Sequence, residues 1–261
     1  MSLKVYLIGR SSFDVESFIS FLKNEKITWK RTPGATEPEE IAEIAGRICY
    51  MSFGKNQSSK SNSDYIRNLI SNGHESVLEH ISWTFLITGV SRSFSHQLVR
   101  HRVGFSFSQL SQQYYSHANA EFVMPSLLTK YPNALAAWNR SVKVAKETYR
   151  NIFKFLWETE RESNNDLERK EIKRAIHSTS RSILPNATET KIVATANARS
   201  IRYFLKVRGS IPGDEEMRRV SVELLGLLLS EAPAFFSDFR IEKLSDGSEI
   251  VIHQDMTKNR E

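Results

Sequence analysis

The chain has 261 residues, of which 36 are Lys or Arg and 30 are Asp or Glu, so its formal net charge is +6 at pH 7. This charge favours anionic partners, but the basic residues are dispersed among acids, which is typical of solvated helical faces rather than of a nucleic-acid stripe. The single cysteine, Cys49, excludes a disulfide framework, so we predict a cytoplasmic protein. No apolar span of eighteen residues occurs, so we predict that the protein is soluble and has no membrane partner. Because the basic residues are dispersed, no nucleic-acid partner is predicted either.

One strand pattern and three helix patterns occupy the N-terminal part of the chain. LKVYLIG (3–9) is β-rich and apolar and predicts a strand, and helices are predicted over Asp14 to Lys23, 38–50 and 64–73. The second of these helices begins with proline and two acids, and it places on one face Ile41, Ile44, Ala45 and Ile48. The polar segment 54–63 predicts a loop.

The middle of the chain combines a strand with a short helix. ISWTFLITGV (81–90) is β-branched and aromatic and predicts a central strand. Ser91 is suited to cap a helix that ends near Arg100. Because residues three and four apart stack on a helix, Gln97 shares a face with Arg100 and His101. The residues that follow carry hydroxyls, amides and aromatics without an acid, and they predict an extended or looped segment.

The last part of the chain is mostly helical. Helices are predicted over Ala134 to roughly Glu162, Leu167 to Ser178, 198–208 and 213–233. TKIVATAN (190–197) predicts a strand, and 240–253 predicts a hairpin that turns at Asp246-Gly247. No internal repeat or linker is present, so one α+β domain over 1–261 is predicted.

Three familiar motifs are incomplete or absent. HESVLEH (74–80) has Ser76 and Leu78 where helical zinc motifs require histidine, so no metal site is predicted. GFSFS (104–108) ends in Ser108 where a nucleophile elbow requires glycine. No glycine-rich phosphate loop occurs, so any phosphate is predicted to be held by side chains and helix ends.

A second group of arginines follows the strand predicted over 190–197. Arg199 and Arg202 lie three apart on one helix, while Arg208 is about two and a half turns beyond Arg199 and points elsewhere. Such arginines are commonly solvated, so the pattern alone leaves both a solvated face and a binding site open. If they gathered with Arg100 and Arg102, their mutual repulsion would require an anion, which favours a phosphorylated ligand.

Four blocks of the sequence resemble the flavin-dependent thymidylate synthases, in the order that the family has them. Arg100-His101-Arg102 followed by SQLSQ (108–112) is similar to the family's Arg-His-Arg, seven-residue spacer and Ser. Within a resemblance that covers about residues 38–239, the four blocks are GHESVLEH, HQLVRHR, which contains Arg100-His101-Arg102, RSILP and NARSIRYFLKVR.

The resemblance implies a fold, an assembly and an activity. The implied fold is α+β, with a central antiparallel sheet, flanking helices and a helical bundle region. The implied assembly is a homotetramer whose active sites lie at subunit interfaces and bind FAD. The implied reaction is reductive methylation of dUMP to dTMP, with methylenetetrahydrofolate as carbon donor and NADPH reducing the flavin.

The resemblance also assigns roles to individual positions. Those that match FAD contacts are His74, Ser76, Arg100, His101, Arg102, Asn197 and Arg199. Those that match dUMP contacts are Gln97, Arg100, Gln109, Ser111, Gln112, Arg181 and Arg208. The catalytic positions are Arg208, His74 and Ser111, with Ser111 expected to bind the substrate phosphate rather than to act as a nucleophile.

The residues themselves agree with flavin chemistry. A thymidylate synthase that uses a covalent thiol needs a cysteine activated by cations, and Cys49 lies outside every basic block. A reduced flavin can deliver hydride without such a thiol, while the protein supplies position and charge.

The sequence departs from the family pattern at three places. The spacer from Val103 to Leu110 has eight residues, Gln113 stands where most members have arginine, and Cys49 replaces a small residue near the cofactor. These departures leave open a related flavoenzyme with a shifted nucleotide substrate or a hydroxymethyl product. A non-catalytic nucleic-acid-binding protein that uses the basic blocks as a backbone contact surface is the other alternative.

Overall fold

The computed structural model describes residues 2–160 and 166–254, which form both strands and helices. The strands are β1 (Lys4–Arg10), β2 (Ser82–Ser91), β3 (Phe105–Gln109), β4 (Glu189–Asn197), β5 (Phe239–Lys243) and β6 (Glu249–His253). The α-helices are α1 (Val15–Asn24), α2 (Glu37–Ile48), α3 (Asn62–Ser71), α4 (Arg92–Leu98), α5 (Pro132–Glu160), α6 (Asp166–Ser180), α7 (Ala198–Arg208) and α8 (Glu215–Glu231). The predicted helices and strands are confirmed to within a few residues, and β3 forms in the segment expected to be extended or looped.

Four strands form one sheet in the order β1-β2-β4-β3, so the predicted central position of β2 is confirmed. Gly104 O accepts from Asn197 N at 3.1 Å, and Lys191 O accepts from Leu110 N at 2.9 Å. Residue numbers therefore rise along β3 as they fall along β4, which makes this pair antiparallel. The predicted hairpin is confirmed as well, since β5 and β6 pair antiparallel from Phe239 opposite His253.

The described residues pack as two compact units. Unit 1 contains the described residues of Met1–Lys4, Ile87–Arg100 and Ser108–Val193, and unit 2 those of Val5–Leu86, His101–Phe107 and Ala194–Glu261. The single domain over 1–261 stays a prediction. No described helix is both long enough and apolar enough to cross a membrane.

Side-chain caps start the helices that follow β2 and β4 without an intervening loop. Ser91 accepts a hydrogen bond from Phe94 N and begins α4, as its sequence position predicted. Asn197 accepts from Ser200 N at 2.9 Å and begins α7. Arg92 and Arg199 therefore lie in the first turn of helices that start at the end of a strand.

Alternation along β2 supplies part of the core of unit 2. Trp83 and Phe85 are buried, and the Trp83 ring lies 6.3 Å from Phe235 and 6.2 Å from Phe236 between ring centroids. Burial of each such aromatic side chain stabilises the fold by roughly 1.5–3 kcal/mol. This aromatic cluster fixes the segment after α8 against the sheet.

Helix α2 buries its charged face and leaves its apolar face more exposed. Glu43 is 1% exposed and accepts from Arg47 Nε at 2.6 Å and from Asn62 Nδ2 at 2.7 Å. Ile48, on the apolar face, is 41% exposed. The buried acid is tolerated because both of its oxygens have hydrogen-bond partners. The sequence pattern predicted this helix correctly without showing which face lies inside.

Candidate functional site

Two arginines of unit 1 come together without an acid. Arg92 begins α4, and Arg181 begins a short 3-10 segment after α6. A backbone hydrogen bond of 2.9 Å from Arg92 N to Thr188 O ties the start of α4 to the chain that follows Arg181. Burial and then the neighbouring charge of Arg181 lower the pKa of Arg92. Within the described residues neither guanidinium forms an ion pair, so the pair is suited to bind a phosphate.

Sequence reasoning missed Arg92. Its position directly after the cap residue Ser91 was visible, but an arginine in a first helical turn is unremarkable by itself. Only the fold shows that it is half-buried beside Arg181.

Gln109 and Ser111 are held at the end of β3 in unit 1. Gln109 Nε2 donates to Ser95 Oγ at 2.6 Å and to Thr190 Oγ1 at 3.2 Å, which orients the amide and leaves its oxygen as the acceptor. Ser111 Oγ accepts from Gln113 N at 3.1 Å and keeps its own hydrogen to donate. The nearby predicted residues Gln97 and Gln112 are half-buried.

A cation from α6 lies beside Gln113, where the family pattern has arginine. Arg174 Nε donates to Gln113 Oε1 at 3.4 Å, and its guanidinium carbon lies 5.5 Å from the centre of the Tyr114 ring. Glu171 lies 3.7 Å from Arg174 and partly neutralises it. The positive charge that Gln113 lacks is therefore present next to it, on a different element.

Arg208 is oriented by a histidine in unit 2. Its Nε donates to His101 Nε2 at 3.1 Å, and the His101 ring packs edge-on against Phe204 at 5.2 Å between ring centroids. Burial and then the charge of Arg208 lower the pKa of His101, so the ring is neutral at pH 7 and carries its proton on Nδ1. Within the described residues the terminal nitrogens of Arg208 have no ion-pair partner, which leaves them able to bind an anion.

The chain after Arg102 approaches the start of α7 closely. Ser200 Oγ donates to Val103 O at 2.9 Å, and Asn197 N donates to Gly104 O. Gly104 has a φ of +68°, and a Cβ there would lie 2.1 Å from Ser200 Oγ. Glycine is therefore required at this turn, which lies in the eight-residue spacer.

The remaining residues that the family resemblance assigns to FAD are mostly exposed. His74 and Ser76 lie at the start of the 3-10 segment Glu75–His80, and the side chains of Arg100 and Arg102 are exposed. Arg199 pairs with Glu79 at 2.5 Å, so its charge is partly neutralised within unit 2.

Arg202 is paired with a buried acid in unit 2. It is 5% exposed and makes two hydrogen bonds of 2.7 Å to the Asp238 carboxylate. Of the two possibilities that the sequence left open for this arginine, a solvated face and a ligand site, the structure shows neither, because the buried Asp238 carboxylate pairs with its guanidinium.

Three histidines are held neutral by burial. The pKa values of His101, His117 and His177 are all lowered, with burial as the largest cause. Lys173 and His117 lower the pKa of His177 further, whereas the carbonyl of Tyr115 acts in the opposite direction on His117.

Acid is expected to destabilise the fold through these rings. Because an unfolded histidine binds its proton near pH 6.5, the free energy of unfolding should fall as pH drops below about 6.5 and through each lowered folded pKa. Urea unfolding at pH 7.5, 6.5 and 5.5 measures this loss. Between pH 7.5 and 5.5, His177→Asn should lose less stability than the wild type. His96→Asn, at an exposed position, is the control and should lose as much stability as the wild type. If His177→Asn loses as much stability at low pH as the wild type, protonation of the buried His177 ring does not contribute to the acid destabilisation.

Comparison with known proteins extends these observations. The sequence matches the Thy1 family, described as thymidylate synthase complementing protein, over residues 33–234. It is 42% identical over 251 residues to a flavin-dependent thymidylate synthase of Mycolicibacterium gilvum, covering 95% of this chain and 94% of the relative. It is 38% identical over 245 residues to a flavin-dependent thymidylate synthase of Corynebacterium aurimucosum, covering 92% and 96%.

A solved structure has a similar fold. It is the crystal structure of a UMP/dUMP methylase, PolB from Streptomyces cacaoi, bound with 5-Br dUMP. The TM-score is 0.63 at 20% sequence identity, and the match covers 90% of this chain and 93% of that one. The mixed α+β class with an antiparallel sheet is therefore confirmed.

Proposed function

Because the chain belongs to the flavin-dependent thymidylate synthase family, we propose that it is an enzyme that methylates dUMP reductively to dTMP. Methylenetetrahydrofolate donates the carbon, and NADPH-reduced FAD is the hydride source. The observation that carries the proposal is the pair Arg92 and Arg181: the charge of Arg181 lowers the pKa of the half-buried Arg92, and within the described residues neither guanidinium forms an ion pair. A nucleotide phosphate supplies the negative charge that such a pair needs.

The polar residues of unit 1 are suited to the rest of a pyrimidine nucleotide. Gln109, with its amide oriented by Ser95 and Thr190, offers a fixed acceptor for a base edge. Ser111 offers a hydroxyl hydrogen for the phosphate, and Arg174 adds charge beside Gln113. The residues assigned to dUMP are Gln97, Arg100, Gln109, Ser111, Gln112, Arg181 and Arg208.

The residues assigned to FAD fit a cofactor that contains a diphosphate. Arg102 is exposed and has no acid partner within the described residues, and Asn197 keeps its Nδ2 donor after capping α7. Arg199 contributes less free charge because Glu79 already faces it. When bound, FAD supplies the hydride for the pyrimidine ring. The full set is His74, Ser76, Arg100, His101, Arg102, Asn197 and Arg199, with His74 also assigned a catalytic role.

No thiol nucleophile is part of the proposal. Cys49 follows α2 directly, is exposed, and donates from Sγ to Ala45 O at 3.4 Å. None of the residues assigned to either ligand belongs to α2. The chain therefore offers positioning groups and charge, which suits a reaction whose hydride comes from a bound cofactor.

The spectrum of the purified protein and the mass of its product test the function. A flavin absorption spectrum is expected, and incubation with dUMP, methylenetetrahydrofolate and NADPH should yield dTMP. A product heavier by one oxygen would indicate hydroxymethyl transfer instead. A colourless protein that binds nucleic acid with an affinity falling steeply with salt would contradict the proposal.

Replacement of Ser111 by alanine is expected to impair binding more than chemistry. The hydroxyl is assigned to the substrate phosphate, so KM for dUMP should rise by about ten-fold while kcat changes less. Steady-state kinetics measures both, and Ser116→Ala is the matched control in the same loop. Unchanged dUMP affinity with no turnover would contradict the assignment.

We also propose the homotetramer with shared active sites. Helix α5 leaves Val144 59% and Phe155 70% exposed, and an apolar cavity of about 500 Å³ lies between α5 and residues 183–185. Exposed apolar surface of this kind is typical of subunit contacts. Light scattering measures the assembly, and mixing Arg100→Ala with Arg208→Ala should restore activity if different subunits supply the two residues.

A further inference from the structure

A buried tyrosine holds the loop over 111–120 in unit 1 through a hydrogen bond. Tyr149, on α5, is 0% exposed, and its hydroxyl oxygen accepts from His117 N at 3.1 Å. The same oxygen lies 3.1 Å from His177 Nδ1, on α6. One side chain therefore connects the loop with two helices.

A neutral His177 ring gives this network a consistent arrangement of hydrogen atoms. Because the Tyr149 oxygen accepts from His117 N, its own hydrogen points to His177 Nδ1, whose lone pair is available on a neutral ring. His117 Nδ1 lies 3.0 Å from Tyr115 O, so that nitrogen carries the hydrogen. In this arrangement the Tyr149 hydroxyl, His117 N and His177 Nδ1 each have a hydrogen-bond partner.

Further contacts hold the same loop from outside. Arg150, the next residue of α5, donates from Nε to Ala118 O at 2.6 Å and from Nη2 to Asn119 Oδ1 at 2.9 Å. The Tyr149 ring stacks on Phe153 at 6.4 Å between centroids, which fixes the tyrosine itself. The far half of the loop is thus rigidly attached to α5.

The near half of the loop carries the groups assigned to the nucleotide. Tyr115 N donates to Ser111 O at 3.2 Å, and Gln113 N donates to Ser111 Oγ. The chain between Ser111 and His117 is therefore a short, hydrogen-bonded turn. The positions of Ser111 and Gln112 are thereby linked to that of His117 through the backbone of this turn.

We propose that Tyr149 is a positioning residue for the nucleotide, because its buried hydroxyl fixes the loop that presents Ser111 and Gln112. The identity of the ligand rests on the proposed function, whereas the attachment of the loop does not. Tyr149 itself touches no assigned ligand group, so its effect passes through the backbone of His117.

Tyr149→Phe tests the proposal, with Tyr131→Phe at an exposed position as the matched control. The phenylalanine keeps the stacked ring but leaves His117 N and His177 Nδ1 unpaired. Amide hydrogen exchange across 111–120 is expected to accelerate by about ten-fold. In the holoenzyme, KM for dUMP should rise by about ten-fold with kcat within about two-fold of the wild type. The control should change neither quantity.

Two further variants keep the test decisive if Tyr149→Phe folds poorly. His177→Asn retains an acceptor near the position of Nδ1 and should keep slow exchange and a low KM. His177→Leu removes that acceptor but leaves the Tyr149 hydroxyl to accept from His117 N, so it should accelerate exchange and raise KM less than Tyr149→Phe does. A folded Tyr149→Phe protein with wild-type exchange would overturn the proposal, and so would a loss confined to kcat. If the wild type itself fails to convert dUMP, the proposed function fails, and the exchange comparison still decides whether Tyr149 holds the loop.

Discussion

Replacement of Arg208 by alanine is expected to lower kcat/KM for dUMP by about 10²- to 10³-fold, the usual loss when one preorganised charged donor leaves an active site. Within the described part of the chain, Arg208 donates from Nε to His101 and its terminal nitrogens have no ion-pair partner, so they are available to a ligand. Steady-state kinetics with dUMP as the varied substrate measures the loss.

Arg208→Lys separates charge from orientation. Lysine keeps the positive charge but has no Nε–H to bond His101, so only partial recovery of kcat/KM is expected. Arg219→Ala, at an exposed position of α8, is the matched control and should retain wild-type activity. An Arg208→Ala enzyme within about three-fold of the wild type would contradict the catalytic assignment.

Arg202→Ala is expected to destabilise the protein by about 3–5 kcal/mol, because it leaves the Asp238 carboxylate buried without its main partner. Asp238 is 3% exposed, and after the substitution its one remaining described side-chain contact is His253 Nε2 at 3.1 Å. Urea unfolding followed by circular dichroism gives the free energy of unfolding. Arg67→Ala, which removes an exposed contact of 3.4 Å to Asp64, should cost less than about 1 kcal/mol.

Removal of both partners provides a second check on Arg202. The double variant Arg202→Met with Asp238→Leu removes the buried charges together, so it should be more stable than Arg202→Ala alone. If Arg202→Ala loses no more stability than Arg67→Ala, the ion pair does not hold the segment after α8 in the way that the structure indicates.

Local sequence patterns predicted the elements well because the groups involved lie close together in the chain. Ser91 caps α4 through a backbone N–H three residues later, and Gly247 turns the C-terminal hairpin with a φ of +83°. Helix α7 occupies the residues 198–208 that were predicted. Each of these features depends on side-chain and backbone chemistry within a few residues.

The same local patterns could not show which charges are buried. Arg199 and Arg202 look alike in sequence, yet Arg202 faces Asp238, which lies 36 residues farther along the chain. Helix α2 has an apolar face and a charged face, and the charged one is inside because Asn62 and Arg47 satisfy Glu43. A buried charge is stable only with its partners, and those partners are supplied by the fold.

By itself, the sequence determined the secondary structure, the α+β class and the family, because helix periodicity, caps and short motifs are properties of neighbouring residues. The motifs that contain Arg181 and Arg208 also identified these two arginines as candidate substrate-binding residues. Only the tertiary structure decided that Arg92 lies beside Arg181, that Arg174 lies beside Gln113, and that Tyr149 holds His117. These pairs are separated by 32 residues or more, and electrostatic repulsion or hydrogen bonding between such distant residues exists only once the chain has folded.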